Sequence, residues 1–108
     1  MNIFTIQKVT QVDDGIGGLI DGWDTFKEVE GYIDLLTGTD SNSTIQNAFT
    51  EESTHILIIP KFTTGITDKM RILEPNGRFY SITYSDNPMG INHHNEVYCK
   101  FSGVVANG

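Results

Sequence analysis

The sequence predicts an all-β fold, a small antiparallel barrel of about six strands in a single domain over residues 1–108. Composition is the first reason, because 31 Ile, Val and Thr residues stand against seven Ala and Leu residues, and β-branched side chains favour strands. The second reason is the alternation of apolar and polar residues in short segments that turn-forming residues separate, a pattern typical of antiparallel sheets. A domain of this size buries one core without metal or disulfide support.

The first half of the chain contains two predicted strands, over residues 3–12 and 23–35. Between them, residues 13–22 include four glycines and three aspartates, which indicates a long hairpin tip. Alternation places one set of residues of the second strand on the face toward the core: Val29, Gly31, Ile33 and Leu35. The opposite face suits water or a polar partner and carries Glu28, Glu30, Tyr32 and Asp34.

The connection over residues 37–53 is longer than a compact domain normally places between two strands. It begins with eight residues that include no apolar side chain: Thr37, Gly38, Thr39, Asp40, Ser41, Asn42, Ser43 and Thr44. At most one helical turn is predicted after them, at residues 45–49. Loops of this length are usually functional or disordered, so this segment is the first candidate functional site.

The second half of the chain predicts four further strands, over residues 54–59, 69–74, 79–85 and 97–101. Pro75, Asn76 and Gly77 indicate a tight turn between the middle two. Alternation places Tyr80, Ile82 and Tyr84 on one face of the third of these strands. The predicted barrel core contains Ile33, Leu35, Ile56, Ile58, Ile72, Ile82, Cys99 and Phe101.

The charge distribution argues against a protein that holds bare DNA by neutralising phosphates. The chain has fourteen acidic and seven basic residues and a net charge of −7, whereas such proteins are basic. Residues 1–54 hold ten acids and two bases, while residues 55–108 hold four acids and five bases. The net negative charge therefore lies entirely in the first half of the chain. Its field can set how neighbouring copies or a polyanion approach the protein.

The sequence offers little support for metal or phosphate binding, and no cofactor is predicted. His93, His94 and Glu96 lie close together, but a zinc site needs ligands at paired spacings, so a solvated loop is the favoured interpretation. The glycine-rich run at residues 13–18 lacks the alternating ligands of a calcium loop and leads into a strand rather than a helix, as a phosphate-binding loop would. A hairpin tip explains it better.

No arrangement of residues predicts an enzyme. Cys99 lies mid-strand, and no sequence pattern around it indicates an activated thiol. No Gly-x-Ser-x-Gly motif occurs. His55 is expected at a strand edge rather than as a general base. The lone cysteine excludes an internal disulfide and indicates a reducing compartment, with the thiol buried and inert. The N-terminus has no signal-peptide pattern, and no apolar run spans a membrane.

In order and spacing, these elements resemble the head–tail joining proteins of long-tailed bacteriophages, also called head-closure, stopper or head completion proteins. The resemblance runs from residues 6–8 through the glycine-rich tip, Trp23, residues 31–38 and 54–58, and on to the final strand. Two positions depart from the family pattern, which often has a proline where Leu36 stands and an arginine where Pro60 and Lys61 stand. These departures affect the contacts between subunits more than the fold.

The resemblance implies a ring of copies at the virion neck, assembled in the host cytoplasm below the portal and adaptor proteins. Such a ring closes the DNA exit channel and offers the tail protein a docking surface, and double-stranded DNA passes through it without sequence-specific binding. The resemblance also implies that residues 37–53 project into the channel as a gate. Because the eight residues without apolar side chains bury too little surface to offset their ordering entropy, we expect this segment to become ordered only upon assembly. The Glu28–Asp34 face would then contact a neighbouring subunit or line the channel.

Two other functions remain compatible with the same residues. One is a monomeric β-barrel module that binds a peptide or a saccharide, and the other is a tail terminator or another neck protein. Recovery of the protein on capsids, or on purified portal and adaptor, distinguishes these functions.

Overall fold

The computed structural model describes residues 1–36 and 53–105, and in those residues it confirms the predicted all-β barrel. No helix there is long and apolar enough to cross a membrane. The described elements are six strands and one 3-10 turn: β1 (Asn2–Asp13), β2 (Leu19–Leu35), β3 (His55–Ile59), β4 (Arg71–Leu73), β5 (Arg78–Asp86), the turn Pro88–Gly90 and β6 (Asn95–Val104). The helical turn expected at residues 45–49 lies outside the described residues.

The six strands close into an antiparallel barrel in the order β1-β2-β3-β6-β5-β4. The short strand β4 completes it by pairing with β5 on one side and with residues Thr5, Ile6 and Gln7 of β1 on the other. Closure satisfies most of the backbone groups that an open sheet would leave at its edges.

The barrel interior confirms part of the predicted core and corrects the phase of β3. Ile72, Ile82 and Cys99 are buried as predicted, and Ile33 and Phe101 pack against them from partly buried positions. The other three predictions were wrong: Ile56 and Ile58 are only half-buried, and Leu35 is 61% exposed. Leu57 and Ile59 fill the core in place of the two isoleucines. After His55, every residue of β3 is apolar, so the strand carries no alternation from which its inward face can be inferred.

A bulge in β5 moves Tyr84 to the outer face, which corrects the prediction that it shares a face with Tyr80 and Ile82. The pairing register with β6 shifts between Ile82 and Tyr84, and an extra residue in one strand reverses the alternation beyond it. Tyr84 therefore pairs with Tyr98, and their rings lie 6.3 Å apart. Two tyrosines cover the outside of the sheet there.

The hairpin of β1 and β2 is longer than the sequence indicated. Residues 19–22, predicted as part of the tip, belong to β2, and Gly22 pairs with Thr10. Only residues 14–18 form the turn, where the Asp14 carboxylate accepts hydrogen bonds from the backbone N–H groups of Ile16 and Gly18, both at 2.9 Å. These hydrogen bonds lower the pKa of Asp14, so protonating it at acid pH weakens the tip.

Cys99 is fully buried in β6, as predicted, and burial raises the pKa of its thiol to about 12. Because the thiolate is the reacting species, native protein at pH 8 should react with an aromatic disulfide reagent at least about 100-fold more slowly than a free thiol does. Guanidinium chloride should restore the full rate. Since Cys99 is the only cysteine, the released chromophore reports on this site alone, and rapid labelling of native protein would contradict the prediction.

Candidate functional site

The long connection between β2 and β3 starts and ends at one end of the barrel. The predicted gate, Thr37 to Thr44, lies outside the described residues, but both of its anchors are described. The backbone N–H of Leu36 donates to the carbonyl oxygen of Thr54 at 2.8 Å, and Leu35 pairs with His55. The connection is therefore the loop of a β-hairpin whose two ends are adjacent.

A cluster of aromatic and charged side chains closes the barrel beneath these anchors. The His55 and Tyr80 rings lie 4.9 Å apart, and the Tyr80 hydroxyl donates to the Glu74 carboxylate. The Arg78 guanidinium lies 4.3 Å from the centre of the Phe101 ring. These contacts fill the barrel end beneath the loop anchors with packed side chains.

His55 is not the edge residue that the sequence suggested, because it pairs with Leu35 on one side and with Cys99 on the other. Burial, followed by the nearby positive charge of Arg78, lowers the pKa of its imidazole. The ring is therefore neutral at pH 7, and its neighbour Tyr80 has a pKa that burial raises. A neutral histidine beside a protonated tyrosine hydroxyl is a packing arrangement rather than a nucleophile with its base.

The outer face of β2 carries four exposed side chains that we call the acidic row: Glu28, Glu30, Tyr32 and Asp34. Alternation correctly placed them away from the core, and Tyr32 is 52% exposed. Asp34 accepts a hydrogen bond from the backbone N–H of Leu35 at 2.9 Å. The row gives one side of the barrel three carboxylates and an exposed aromatic ring, a composition suited to a polar or cationic partner.

Residues 8–24 project from the barrel as a two-stranded arm, at the end opposite the loop anchors. Beyond Gln7, β1 pairs with β2 alone, and the molecule measures 51 × 26 × 24 Å. Six large apolar side chains of the arm are exposed: Val9, Val12, Ile16, Leu19, Ile20 and Trp23. An isolated two-stranded hairpin is marginally stable in water, and exposed apolar patches mark interaction surfaces. The arm is therefore a candidate contact surface.

An aromatic–arginine stack, formed by Trp23, Arg71 and Phe79, lies where the arm joins the barrel. The Arg71 guanidinium carbon is 4.3 Å from the centre of the Trp23 ring and 4.6 Å from that of Phe79. Its Nε donates to Gln7 Oε1 at 2.7 Å. No sequence pattern indicates this stack, because Trp23 of β2 is distant along the chain from Arg71 of β4 and Phe79 of β5, and only the closed barrel brings it to them.

A groove of about 690 Å³ lies between the β1–β2 hairpin and the segment that follows β3. Two hydrogen bonds join Asn95 to Thr63 in the segment that follows β3. The Asn95 side-chain amide accepts one from the backbone N–H of Thr63 at 2.7 Å and donates the other to the Thr63 carbonyl at 3.0 Å. The groove lining mixes apolar and charged residues, including Ile3, Phe62, Lys27 and Lys61.

His93, His94 and Glu96 form a chain of contacts that the sequence analysis did not expect. The two histidine Nδ1 atoms lie 2.9 Å apart, and His94 Nε2 lies 3.0 Å from Glu96 Oε2. Adjacent side chains point apart on an extended backbone, but here the backbone bends at residues 91–93, just before and at this pair. Within residues 1–36 and 53–105, no three side chains are placed to hold a metal ion.

The sequence model of a family described as phage head completion protein matches residues 3–101. This span runs from β1 into β6 and includes the connection between β2 and β3. The chain belongs to the phage head completion protein family. The resemblance inferred from the order of its elements is thereby confirmed, and the head completion protein has a structural role in the head–tail region of the virion.

The fold of this head completion protein is similar to the solution structure of protein SF1141 from Shigella flexneri 2a. The TM-score is 0.72 at 17% sequence identity, and the match covers 94% of this chain and 92% of that chain. At this identity the likeness concerns the fold alone. No curated protein sequence matches the chain.

Proposed function

We propose that this head completion protein assembles as a ring below the portal and adaptor, closes the DNA exit channel after packaging and provides the surface on which the tail docks. The observation that carries the proposal is the family match over residues 3–101, which includes the arm, the barrel and the long connection. A ring needs surfaces for its neighbours, and the arm, the stack and the acidic row supply exposed candidates on different sides of the barrel.

The charge of the protein suits a channel through which DNA passes. With a net charge of −7, copies in a ring repel phosphate rather than hold it. A cationic wall would retain the genome by phosphate contacts, whereas an acidic wall offers DNA no adhesive site during ejection. The acidic row is the described surface that fits a position facing the channel or a neighbouring subunit.

Residues 37–53, with Thr37 to Thr44 as their polar core, form the gate in this proposal. The adjacency of Leu36 and Thr54 supports it, because it places both ends of the connection at one rim of the barrel. Small polar side chains let neighbouring loops pair through their backbones and separate again, which suits a reversible closure.

Heads assembled without the protein test the function directly. Such heads should package DNA but lose it and fail to join tails, and purified protein should restore both DNA retention and tail joining. Electron microscopy of the restored heads should show a ring below the portal and adaptor. Protein that binds the ends of tails but not filled heads would identify a tail terminator, and a monomer that binds neither would point to a peptide- or saccharide-binding module.

A further inference from the structure

Arg71 presents an organised set of hydrogen-bond donors that the described part of the chain does not use. Two aromatic rings hold the guanidinium plane, and Gln7 fixes its Nε. The terminal Nη groups make no hydrogen bond or ion pair with any residue in 1–36 or 53–105. A planar guanidinium held in one orientation with a free Nη edge is the geometry that binds a carboxylate through two parallel hydrogen bonds.

Partial burial of the unpaired Arg71 guanidinium costs desolvation free energy, and binding an anion would offset that cost. Arg71 is half-buried, and this burial lowers the pKa of its guanidinium. Trp23, which covers one face, remains 38% exposed, so a partner can reach the stack. Tryptophan, tyrosine and arginine are the residues that dominate the energetics of protein interfaces.

The acidic row is the best-matched source of the carboxylate. Three of the four arm carboxylates, those of Asp13, Asp14 and Asp21, accept hydrogen bonds from their own hairpin, and the fourth, Asp24, directly follows Trp23 of the same copy's stack. In the acidic row Asp34 accepts one from Leu35, whereas Glu28 and Glu30 accept none from the described residues. Both glutamates precede the exposed Tyr32 on the same face of β2. Strands β2 and β4 lie two places apart in the six-stranded barrel, about 120° around it for evenly spaced strands.

We propose that the aromatic–arginine stack of one copy is a carboxylate-binding site that takes Glu28 or Glu30 from the acidic row of the next copy. Because the two surfaces are different patches facing different directions, the contact is heterologous, and a heterologous contact repeated from copy to copy generates a ring where the rotation between copies closes. This inference rests on the proposed ring assembly and names its contact. It also explains how an acidic protein packs against itself, since each partly desolvated cation receives a carboxylate of its neighbour.

The test uses charge exchange in the full chain. Purified wild type should self-associate in sedimentation velocity at concentrations up to about 1 mM, with a change in Trp23 emission, because Trp23 is the only tryptophan and forms one wall of the site. The Arg71→Glu variant and the Glu28→Lys/Glu30→Lys variant should each associate at least about tenfold more weakly. An equimolar mixture of the two should regain association, because each supplies the charge that the other needs.

The matched control is Lys100→Glu, which makes a comparable charge change at an exposed position of β6 and should associate slightly more weakly at most. The double lysine variant alters only exposed side chains, so it tests the contact even if Arg71→Glu disturbs the stack. A mixture that stays monomeric, or a wild type that is monomeric in solution yet forms rings on heads, would overturn the inference. Wild type that self-associates as described but never joins filled heads would instead refute the proposed function and leave this contact standing.

Discussion

Replacing Gly31 by alanine should lower the free energy of unfolding by about 2–3 kcal/mol, the cost of forcing an extra methyl group into a packed core. Gly31 is buried in β2, and a Cβ there would collide with the backbone carbonyl oxygen of Ile58 and lie 3.4 Å from the Leu57 side chain. A backbone atom cannot rotate out of the way as a side chain can, so β2 and β3 must separate locally. Chemical denaturation measures the change.

Gly22→Ala is the matched control for this substitution because it lies in the same strand. A Cβ at Gly22 would meet the Val12 and Thr10 side chains at 3.4–3.5 Å, which is ordinary contact. This variant should be neutral or more stable by about 0.4–1 kcal/mol, because alanine reduces the entropy of the unfolded chain. Equal destabilisation by both substitutions would show that strand propensity, rather than the approach of β3, decides the effect.

Sequence patterns predicted the fold where local chemistry alone determines the structure. The turn at residues 75–78 formed as expected, with Gly77 at a φ of +94°, a conformation that glycine adopts without strain. Alternation correctly placed Cys99 of β6 inside, because this strand mixes polar and apolar residues.

The errors in the predicted core arise from features that alternation does not encode. After His55, β3 contains only apolar residues, so alternation could not show that Leu57 and Ile59 point inward. The β5 bulge moved Tyr84 to the opposite face of the sheet, and residue type alone does not predict a bulge. Leu35 continues the inward alternation of β2, but it stands at the barrel rim beside the loop anchor, where an inward-pointing position is still open to solvent.

The candidate surfaces likewise differ in whether local sequence alone predicts them. The acidic row lies within one strand, so its shared face could be read from a period of two. The aromatic–arginine stack joins Trp23 of β2, Arg71 of β4 and Phe79 of β5, and only the closed strand order makes them neighbours. Sites assembled across a barrel wall depend on register, which a single sequence specifies weakly before the turns are known.

Deleting Gly38 to Thr44 should leave the barrel folded and should cause filled heads to lose their DNA. The deletion removes seven residues from a connection whose ends, Leu36 and Thr54, are already joined by a backbone hydrogen bond. Ten residues still span that short distance, and shortening a long loop changes its closure entropy by only about 0.6 kcal/mol per halving. The midpoint of thermal unfolding should therefore stay close to that of wild type.

Loss of DNA from these heads identifies the loop as the gate only if the variant still occupies the neck. The measurement therefore pairs the amount of protein bound to purified heads with the nuclease-protected DNA that they retain. A variant in which residues 37–44 are shuffled, keeping length and composition, is the control and should retain the genome, since closure by backbone pairing depends little on the order of small polar side chains. Heads that bind the deleted protein at the wild-type level and keep their DNA equally well would show that the channel is closed by another part of the neck.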